Sequence, residues 1–145
     1  MTTISKSALV PYGADEMYAL VADVDRYPEF LPWCSAARVH EKTDTEMLAE
    51  VEMAFGGIRK SFLTRNVLMK PDEMDIRLVR GPFSRLEGAW RFAQVAELGS
   101  RISLDLEFDF SNRLLEMAVG PVFITIANSL VDSFKKRARE VYGSR

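Results

Sequence analysis

Residues 101–110 alternate between polar and apolar side chains, a pattern that predicts a β-strand with one wet face and one buried face. The apolar positions share the buried face and are Ile102, Leu104, Leu106, Phe108 and Phe110. After Ser111-Asn112 the period becomes helical and continues almost to residue 145. A helix of about 30 residues is roughly 45 Å long, enough to cross a small domain. The change of period therefore predicts a one-faced sheet wrapped around a long apolar helix, and the space between the two layers is a natural place for a ligand.

One dipeptide, Gly120-Pro121, interrupts the helical pattern of the C-terminal segment. The apolar positions that carry this pattern are Leu114, Leu115, Ala118, Val122, Phe123, Ile126, Ala127, Leu130, Phe134, Ala138 and Val141. A proline inside a regular helix removes a backbone hydrogen bond and costs on the order of 3 kcal/mol. Two arrangements satisfy this constraint: the helix is kinked at Pro121, or residues 112–119 form a short separate helix and the long one begins near Pro121. Such a break is either a hinge for ligand entry or a plain helix boundary.

The preceding two thirds of the chain predict one early helix and a run of strands. Residues 3–10 suit a first strand, and Asp15 and Glu16 then favour the first turn of a helix because acids offset the helix dipole. Prolines end this helix, so the aromatic segment 27–34 is an ordered loop or a short helical turn. Five or six strands follow, with Gly56-Gly57 as a two-residue hairpin turn. This order indicates an α+β fold, with residues 1–145 forming a single domain.

Composition narrows the class of protein. With 48% hydrophobic and 28% charged residues the chain is ordinary globular material. Its uninterrupted apolar stretches fall short of the ~20 residues of a membrane span, and the first residues lack the apolar core of a signal peptide. The single cysteine, Cys34, cannot form an internal disulfide, which favours the cytoplasm. A net charge of −2 argues against strong binding to bulk nucleic acid, DNA included, but leaves room for a local basic patch.

Several stretches resemble a known family: residues 8–12, 27–34, 64–66, 81–83, 86–92, 108–112 and 137–142. The chain is similar to the START-like (helix-grip) superfamily, in the group of coenzyme Q-binding START-domain proteins and RatA ribosome association toxins, formerly labelled oligoketide cyclases. The resemblance implies a curved antiparallel sheet of six or seven strands around a long C-terminal helix, with one or two short helices after the first strand. Where that group often has a glycine before Cys34, this chain has Trp33, which we expect to change the entrance or the ligand.

The apolar residues predict a lipid pocket between sheet and helix, because aromatic walls suit a flat ring and aliphatic walls suit a chain. By resemblance the ligand is ubiquinone or a related polyisoprenoid, carried in support of respiration without bond chemistry and without a redox cofactor. The alternative is that these side chains simply pack against one another. The candidate wall residues are Phe30, Leu31, Trp33, Phe55, Phe62, Phe83, Trp90, Phe92, Phe108, Phe110, Val119, Val122, Phe123 and Ile126.

Catalytic chemistry finds little support in the sequence. His40 alternates with a neighbouring valine and is expected to face solvent, and Cys34 is expected to be a small buried packing residue. The acids at 50, 52, 105, 107 and 109 share strand faces with arginines at 59, 65, 77 and 91, so a cross-strand charge ladder is favoured over paired catalytic carboxylates or a metal site. A cyclase would need a buried polar residue in the cavity. We therefore expect no enzyme and no metal.

The end of the last helix carries a second hypothesis. Lys135, Lys136, Arg137 and Arg139 form a basic cluster that suits phosphate groups. Resemblance to the toxins implies binding of the large ribosomal subunit through rRNA, which blocks its joining to the small one. The other interpretation is that these cations offset the helix dipole and keep the exposed face soluble. A transient contact with the inner membrane is a further expected interaction of a lipid carrier.

Overall fold

The computed structural model describes residues 2–97 and 99–145, and all structural statements concern these residues. Within them the chain forms seven strands, two α-helices and one 3₁₀ helix. In chain order these are β1 (Thr2–Val10), α1 (Ala14–Ala22), the 3₁₀ helix (Val24–Glu29), β2 (Cys34–Lys42), β3 (Glu46–Phe55), β4 (Ile58–Met69), β5 (Glu73–Arg80), β6 (Phe83–Gln94), β7 (Ser100–Phe110) and α2 (Arg113–Tyr142). The predicted α+β order is confirmed.

The strands form one antiparallel sheet in the order β1-β7-β6-β5-β4-β3-β2. Strands β2 to β7 each pair with the next strand in sequence and form a meander. Strand β1 pairs with β7 at one edge of the sheet. The strand predicted at 101–110 is β7, and its residues Ile102, Leu104 and Phe108 are fully buried. The turn predicted at Gly56-Gly57 joins β3 to β4, and both glycines have positive φ, a backbone conformation that favours glycine.

The C-terminal segment is one continuous helix, α2, with Pro121 inside it. The Asn112 side chain caps its start by accepting a hydrogen bond from the Leu115 amide at 2.9 Å. The arrangement with a separate helix over residues 112–119 is therefore wrong. The helix begins at the Asn112 cap and continues through Pro121, where it lacks one backbone hydrogen bond. The idea that Gly120-Pro121 acts as a hinge stays a prediction.

Helix α2 lies against the sheet only from its second turn onwards. Its buried residues are Val119, Gly120, Phe123, Ile126, Ala127, Val131, Phe134 and Ala138. The expectation that the helical pattern marks a core position at Leu114, Ala118 and Val141 is wrong, because all three are exposed. The apolar pattern of α2 thus extends beyond the part of the helix that the sheet covers.

By length and composition alone, α2 is apolar enough to cross a membrane. The uninterrupted apolar stretches of the sequence did not predict this, because each of them falls short of a membrane span. A core helix passes the same test. Here Phe123 and Phe134 of α2 pack into the main core, so the helix serves as the inner layer of the fold.

The C-terminal end of α2 is tied to the beginning of the chain. Tyr12 donates a hydrogen bond from its hydroxyl to the Gly143 carbonyl at 2.6 Å, and Tyr142 donates to the Glu16 carbonyl at 2.9 Å. Arg145 forms a bidentate ion pair with the Glu16 carboxylate at 2.7 and 2.9 Å. These contacts fix the helix end against α1.

Candidate functional site

A cavity of about 100 Å³ lies between the concave face of the sheet and α2. Ligand pockets for small molecules generally hold about 300–1,000 Å³, so this cavity is small. Ubiquinone would enter only if the walls moved apart. The lining residues are Val24, Tyr27, Trp33, Ala49, Val51, Phe62, Thr64, Asn66, Met74, Ile76, Leu86, Trp90, Leu104, Leu106, Phe123, Ile126, Ala127, Leu130 and Phe134.

Five of the predicted wall residues line this cavity, namely Trp33, Phe62, Trp90, Phe123 and Ile126. They come from the loop before β2, from β4, from β6 and from α2, so four separate parts of the chain meet there. Both tryptophans of the protein are among them. The sequence therefore identified part of the wall on each side of the cavity.

The other predicted wall residues lie elsewhere. Phe83, Phe108 and Phe110 pack with Phe62 and Phe123 into an aromatic cluster, in which the rings of Phe83 and Phe108 each lie 4.8 Å from that of Phe123. Phe62 and Phe123 of this aromatic cluster also line the cavity, so the cluster borders it on one side. The residues outside both the cavity and the aromatic cluster are Phe30, Leu31, Phe55, Phe92, Val119 and Val122.

Besides Tyr27, three side chains with polar groups line the otherwise apolar cavity, and we call Trp33, Thr64 and Asn66 the donor cluster. Thr64 and Asn66 are only 6% and 4% exposed, and the Thr64 hydroxyl donates to Asn66 Oδ1 at 2.9 Å. The indole N–H of Trp33 is buried and has no hydrogen-bond partner among the described residues. The Asn66 amide nitrogen likewise makes no hydrogen bond to a described residue. Because an unpaired buried donor costs about 1–3 kcal/mol, the Trp33 indole favours an acceptor oxygen in the cavity.

Sequence reasoning missed Thr64 and Asn66 as site residues. The signal was present, because Phe62, Thr64, Asn66 and Leu68 alternate onto the inward face of β4. Two polar residues on an otherwise apolar strand face break the pattern, and such breaks often accompany a binding site.

The cavity contains little acid–base chemistry. Of the described lining residues only Tyr27 is an acid or base in water, and burial raises its pKa far above the usual range of a phenol. Its hydroxyl donates to the Val21 carbonyl. Cys34 is buried as expected, and burial raises the pKa of its thiol to about 11, so the thiol stays protonated at neutral pH.

The charges on the outer face of the sheet pair across strands. Arg91 of β6 lies 3.0 Å from Asp105 and 3.2 Å from Glu73, and Arg59 lies 3.3 Å from Glu52. His40 is exposed and lies 2.8 Å from the Glu50 carboxylate. The predicted charge ladder is thus confirmed for these pairs. Within residues 2–97 and 99–145 no group of three or more metal-ligating side chains is close enough to hold an ion.

The predicted basic cluster near the end of α2 divides into free and engaged cations. Lys135 and Lys136 are exposed and have no ion pair with a described residue. Arg137 lies 3.3 Å from Glu29 and stacks over the Phe30 ring at 4.8 Å. Arg139 donates to the Ser144 hydroxyl at 3.2 Å. Two of the four predicted residues are therefore fully available to an external anion.

Known proteins resemble this chain over nearly its whole length. It is 45% identical over 142 residues to the ribosome association toxin RatA of Pseudomonas aeruginosa, which covers 98% of this chain and 99% of that protein. It is also 45% identical over 145 residues to the RatA toxin of Escherichia coli K12, covering 100% of this chain and 92% of that protein. The mitochondrial coenzyme Q-binding protein COQ10 homolog B of Xenopus laevis is more distant, with 26% identity over 143 residues, 96% of this chain and 59% of that protein.

Solved structures and a family model agree with the predicted helix-grip fold. The Zhui aromatase/cyclase of Streptomyces sp. R1128 superposes with a TM-score of 0.85 and 15% identity, covering 97% of this chain and 95% of that one, and it supports the fold alone. The family model described as "Polyketide cyclase / dehydrase and lipid transport" matches residues 10–135. This chain is therefore a START-like protein that belongs to the polyketide cyclase / dehydrase and lipid transport family.

Proposed function

We propose that this protein binds the large ribosomal subunit and blocks its association with the small subunit. The observation that carries this proposal is the 45% identity, over nearly the full chain, to proteins named for ribosome association. A non-catalytic role agrees with a cavity whose described lining offers no group that ionises near neutral pH.

The surface we assign to ribosome contact is the exposed side of the last turns of α2. Lys135 and Arg139 are four residues apart and so lie on one helix face, next to Lys136. Lysines without an ion pair can contact rRNA phosphates without first breaking a contact inside the protein. Each phosphate contact releases counterions, so binding should weaken steeply as salt rises.

Sucrose-gradient profiles of ribosomes with added protein test this proposal. The wild-type protein should shift material from joined ribosomes to free subunits and should co-sediment with the large subunit. The double charge reversal Lys135→Glu/Lys136→Glu should abolish both effects. Its matched control is Lys6→Glu/Lys42→Glu, which changes charge equally at exposed lysines on β1 and β2.

One result would contradict the proposed function, and another the surface assigned to it. One is an unchanged profile at a several-fold excess of the wild-type protein over ribosomes in low salt. The other is equal activity of the Lys135→Glu/Lys136→Glu variant and the wild type, which would move the contact to another surface.

A second candidate function is binding of a hydrophobic carbonyl compound, such as ubiquinone, in the internal cavity. The donor cluster favours it, because a quinone carbonyl can accept hydrogen bonds from the Trp33 indole and the Asn66 amide. The name of the COQ10 relative points to the same ligand class. The rings of the aromatic cluster would have to move to admit a long isoprenoid tail. A quinone with a short tail is therefore the ligand to test first.

Intrinsic fluorescence tests this second function directly. Both tryptophans, Trp33 and Trp90, line the cavity, so a bound quinone should quench the emission strongly. Asn66→Leu removes a donor at similar volume and should weaken binding up to about tenfold, because one neutral hydrogen bond contributes about 0.5–1.5 kcal/mol. Ala54→Leu, outside the cavity on β3, is the control. Saturable quenching with equal affinity in wild type and Asn66→Leu would contradict the assignment of the donor cluster.

A further inference from the structure

Three chain connections lie together at one end of the sheet, which we call the turn end. They are the β3–β4 turn, the β5–β6 turn and the connection from β7 to α2. They share one end because the strands are antiparallel, so β3, β5 and β7 finish where β4 and β6 begin. The Ser111 amide, just before α2, donates to the Pro82 carbonyl of the β5–β6 turn at 3.2 Å, which joins two of the connections directly.

The turn end exposes large apolar side chains from each of these connections. Phe55 is 53% exposed, Val79 52%, Leu114 77% and Met117 69%. Leu114 and Met117 begin an outward row on α2 that continues, at helical spacing, through Pro121 and Ile124. Exposed apolar residues are ordinary on a protein surface, and Leu9 and Val95 are comparably exposed at the opposite end of the sheet. Apolar exposure therefore selects the turn end only in combination with its charge.

The turn end is also positively charged, although the whole chain has a net charge of −2. Around these connections lie the cations Arg59, Lys60, Arg80 and Arg113 and the anions Glu52, Asp109 and Glu116, and Arg59 is paired with Glu52 at 3.3 Å. Lys60, Arg80 and Arg113 form no ion pair with a described residue. On the outer face of the sheet, by contrast, Arg91 pairs with two carboxylates. Lys60, Arg80 and Arg113 of the turn end are therefore available to an external anion, whereas Arg59 is engaged by Glu52.

We propose that the turn end docks on the surface of an anionic phospholipid bilayer. Such a surface offers negative headgroups to the cations and, a few ångströms deeper, apolar chains to Phe55, Leu114 and Met117. A second copy of this chain would bring two positive ends together, and nucleic acid would leave the apolar side chains uncovered. The combination of charge and apolar exposure therefore selects the lipid surface among these occupants. The inference is independent of ribosome binding, which uses the opposite end of α2.

Co-sedimentation with vesicles tests the inference. The full chain should bind vesicles of phosphatidylcholine mixed with phosphatidylglycerol, bind poorly to phosphatidylcholine alone, and dissociate as salt rises. Leu114→Ser/Met117→Ser should weaken binding at least tenfold. Arg80→Gln/Arg113→Gln should weaken it about 25-fold, from about fivefold for each cation.

The matched control for the apolar variant is Leu9→Ser/Val95→Ser. These residues are similarly exposed, at 56% and 57%, but lie at the opposite end of the sheet. The control should bind anionic vesicles like the wild type. Circular dichroism should show that all variants keep the wild-type secondary structure, since every substituted side chain is exposed.

Three results would overturn the inference. The first is no binding of the wild type to the phosphatidylglycerol vesicles at low salt. The second is equal binding of the wild type and the Leu114→Ser/Met117→Ser variant. The third is a dimer in sedimentation equilibrium that Leu114→Ser/Met117→Ser converts to a monomer, which would assign the turn end to self-association.

Discussion

The two ends of helix α2 both carry large apolar side chains, which have opposite roles in the structure. Towards the C-terminus, Phe134 is fully buried and its ring lies 5.3 Å from that of Trp90 and 5.5 Å from that of Tyr27. Towards the N-terminus, Leu114 and Met117 are largely exposed. The sheet covers one end and leaves the other uncovered.

An apolar helical pattern identifies the side chains that a helix is able to bury. It does not show which of them the rest of the fold covers. The buried end of α2 holds the fold together, whereas the uncovered end is free to contact something outside the molecule. Pro121 lies between the two ends, where the missing backbone hydrogen bond weakens the helix locally.

The largest expected effect is on stability, when one buried and one exposed side chain of α2 are each truncated to alanine. Phe134→Ala should lower the free energy of unfolding by about 3–5 kcal/mol, because it removes a buried ring and leaves a cavity. Leu114→Ala should change it by less than about 0.5 kcal/mol, because an exposed side chain loses little contact. Urea denaturation followed by circular dichroism measures both. Similar losses for the two variants would invalidate the contrast between the ends.

The next effect concerns the proline between the two ends. Pro121→Ala restores a backbone donor inside α2 and should stabilise the protein by about 1–3 kcal/mol. Hydrogen exchange should then slow at the amides of residues 117–121. If Pro121→Ala destabilises the protein, the proline ring contributes packing that outweighs the missing hydrogen bond.

A smaller effect is expected at the tie between Tyr142 and α1. Tyr142→Phe removes the hydrogen bond to the Glu16 carbonyl and should lower the free energy of unfolding by about 1 kcal/mol. Tyr18→Phe is the control, since the Tyr18 hydroxyl makes no hydrogen bond to a described residue. Thermal melts of the two variants measure the difference, and equal melting temperatures would mean that the tie adds no stability.

The smallest effect depends on pH. Arg145 and the Gly13 amide hold the pKa of the Glu16 carboxyl below its ordinary value. The stabilisation is therefore present above pH 4.5, the ordinary value, and is lost as pH falls through the lower pKa in the folded state. Glu16→Gln should be less stable than the wild type near pH 7, and the difference should vanish in acid. A difference that stays constant down to acid pH would exclude this ion pair as its source.

Strict alternation made β7 predictable almost to the residue, because one buried face fixes the period of a strand. The extent of the buried part of α2 was not predictable, because it depends on where a distant sheet ends. The size of the cavity also escaped prediction, because it depends on how side chains from distant strands and α2 pack around it. Thr64 and Asn66 were within reach of the sequence, as polar breaks on an apolar strand face.

The pairing of β1 with β7 has a consequence for how the chain folds. Thr2 lies opposite Phe108 and Val10 opposite Ser100, so β1 pairs with a strand that is about 100 residues later in the chain. Long-range pairing of this kind slows folding, because a large loop must close before the contact forms. During synthesis the edge of β1 has no strand to pair with until β7 emerges, and α2 follows later still. The nascent chain therefore completes this sheet only after all seven strands have been made, and it encloses the core only after α2 has followed.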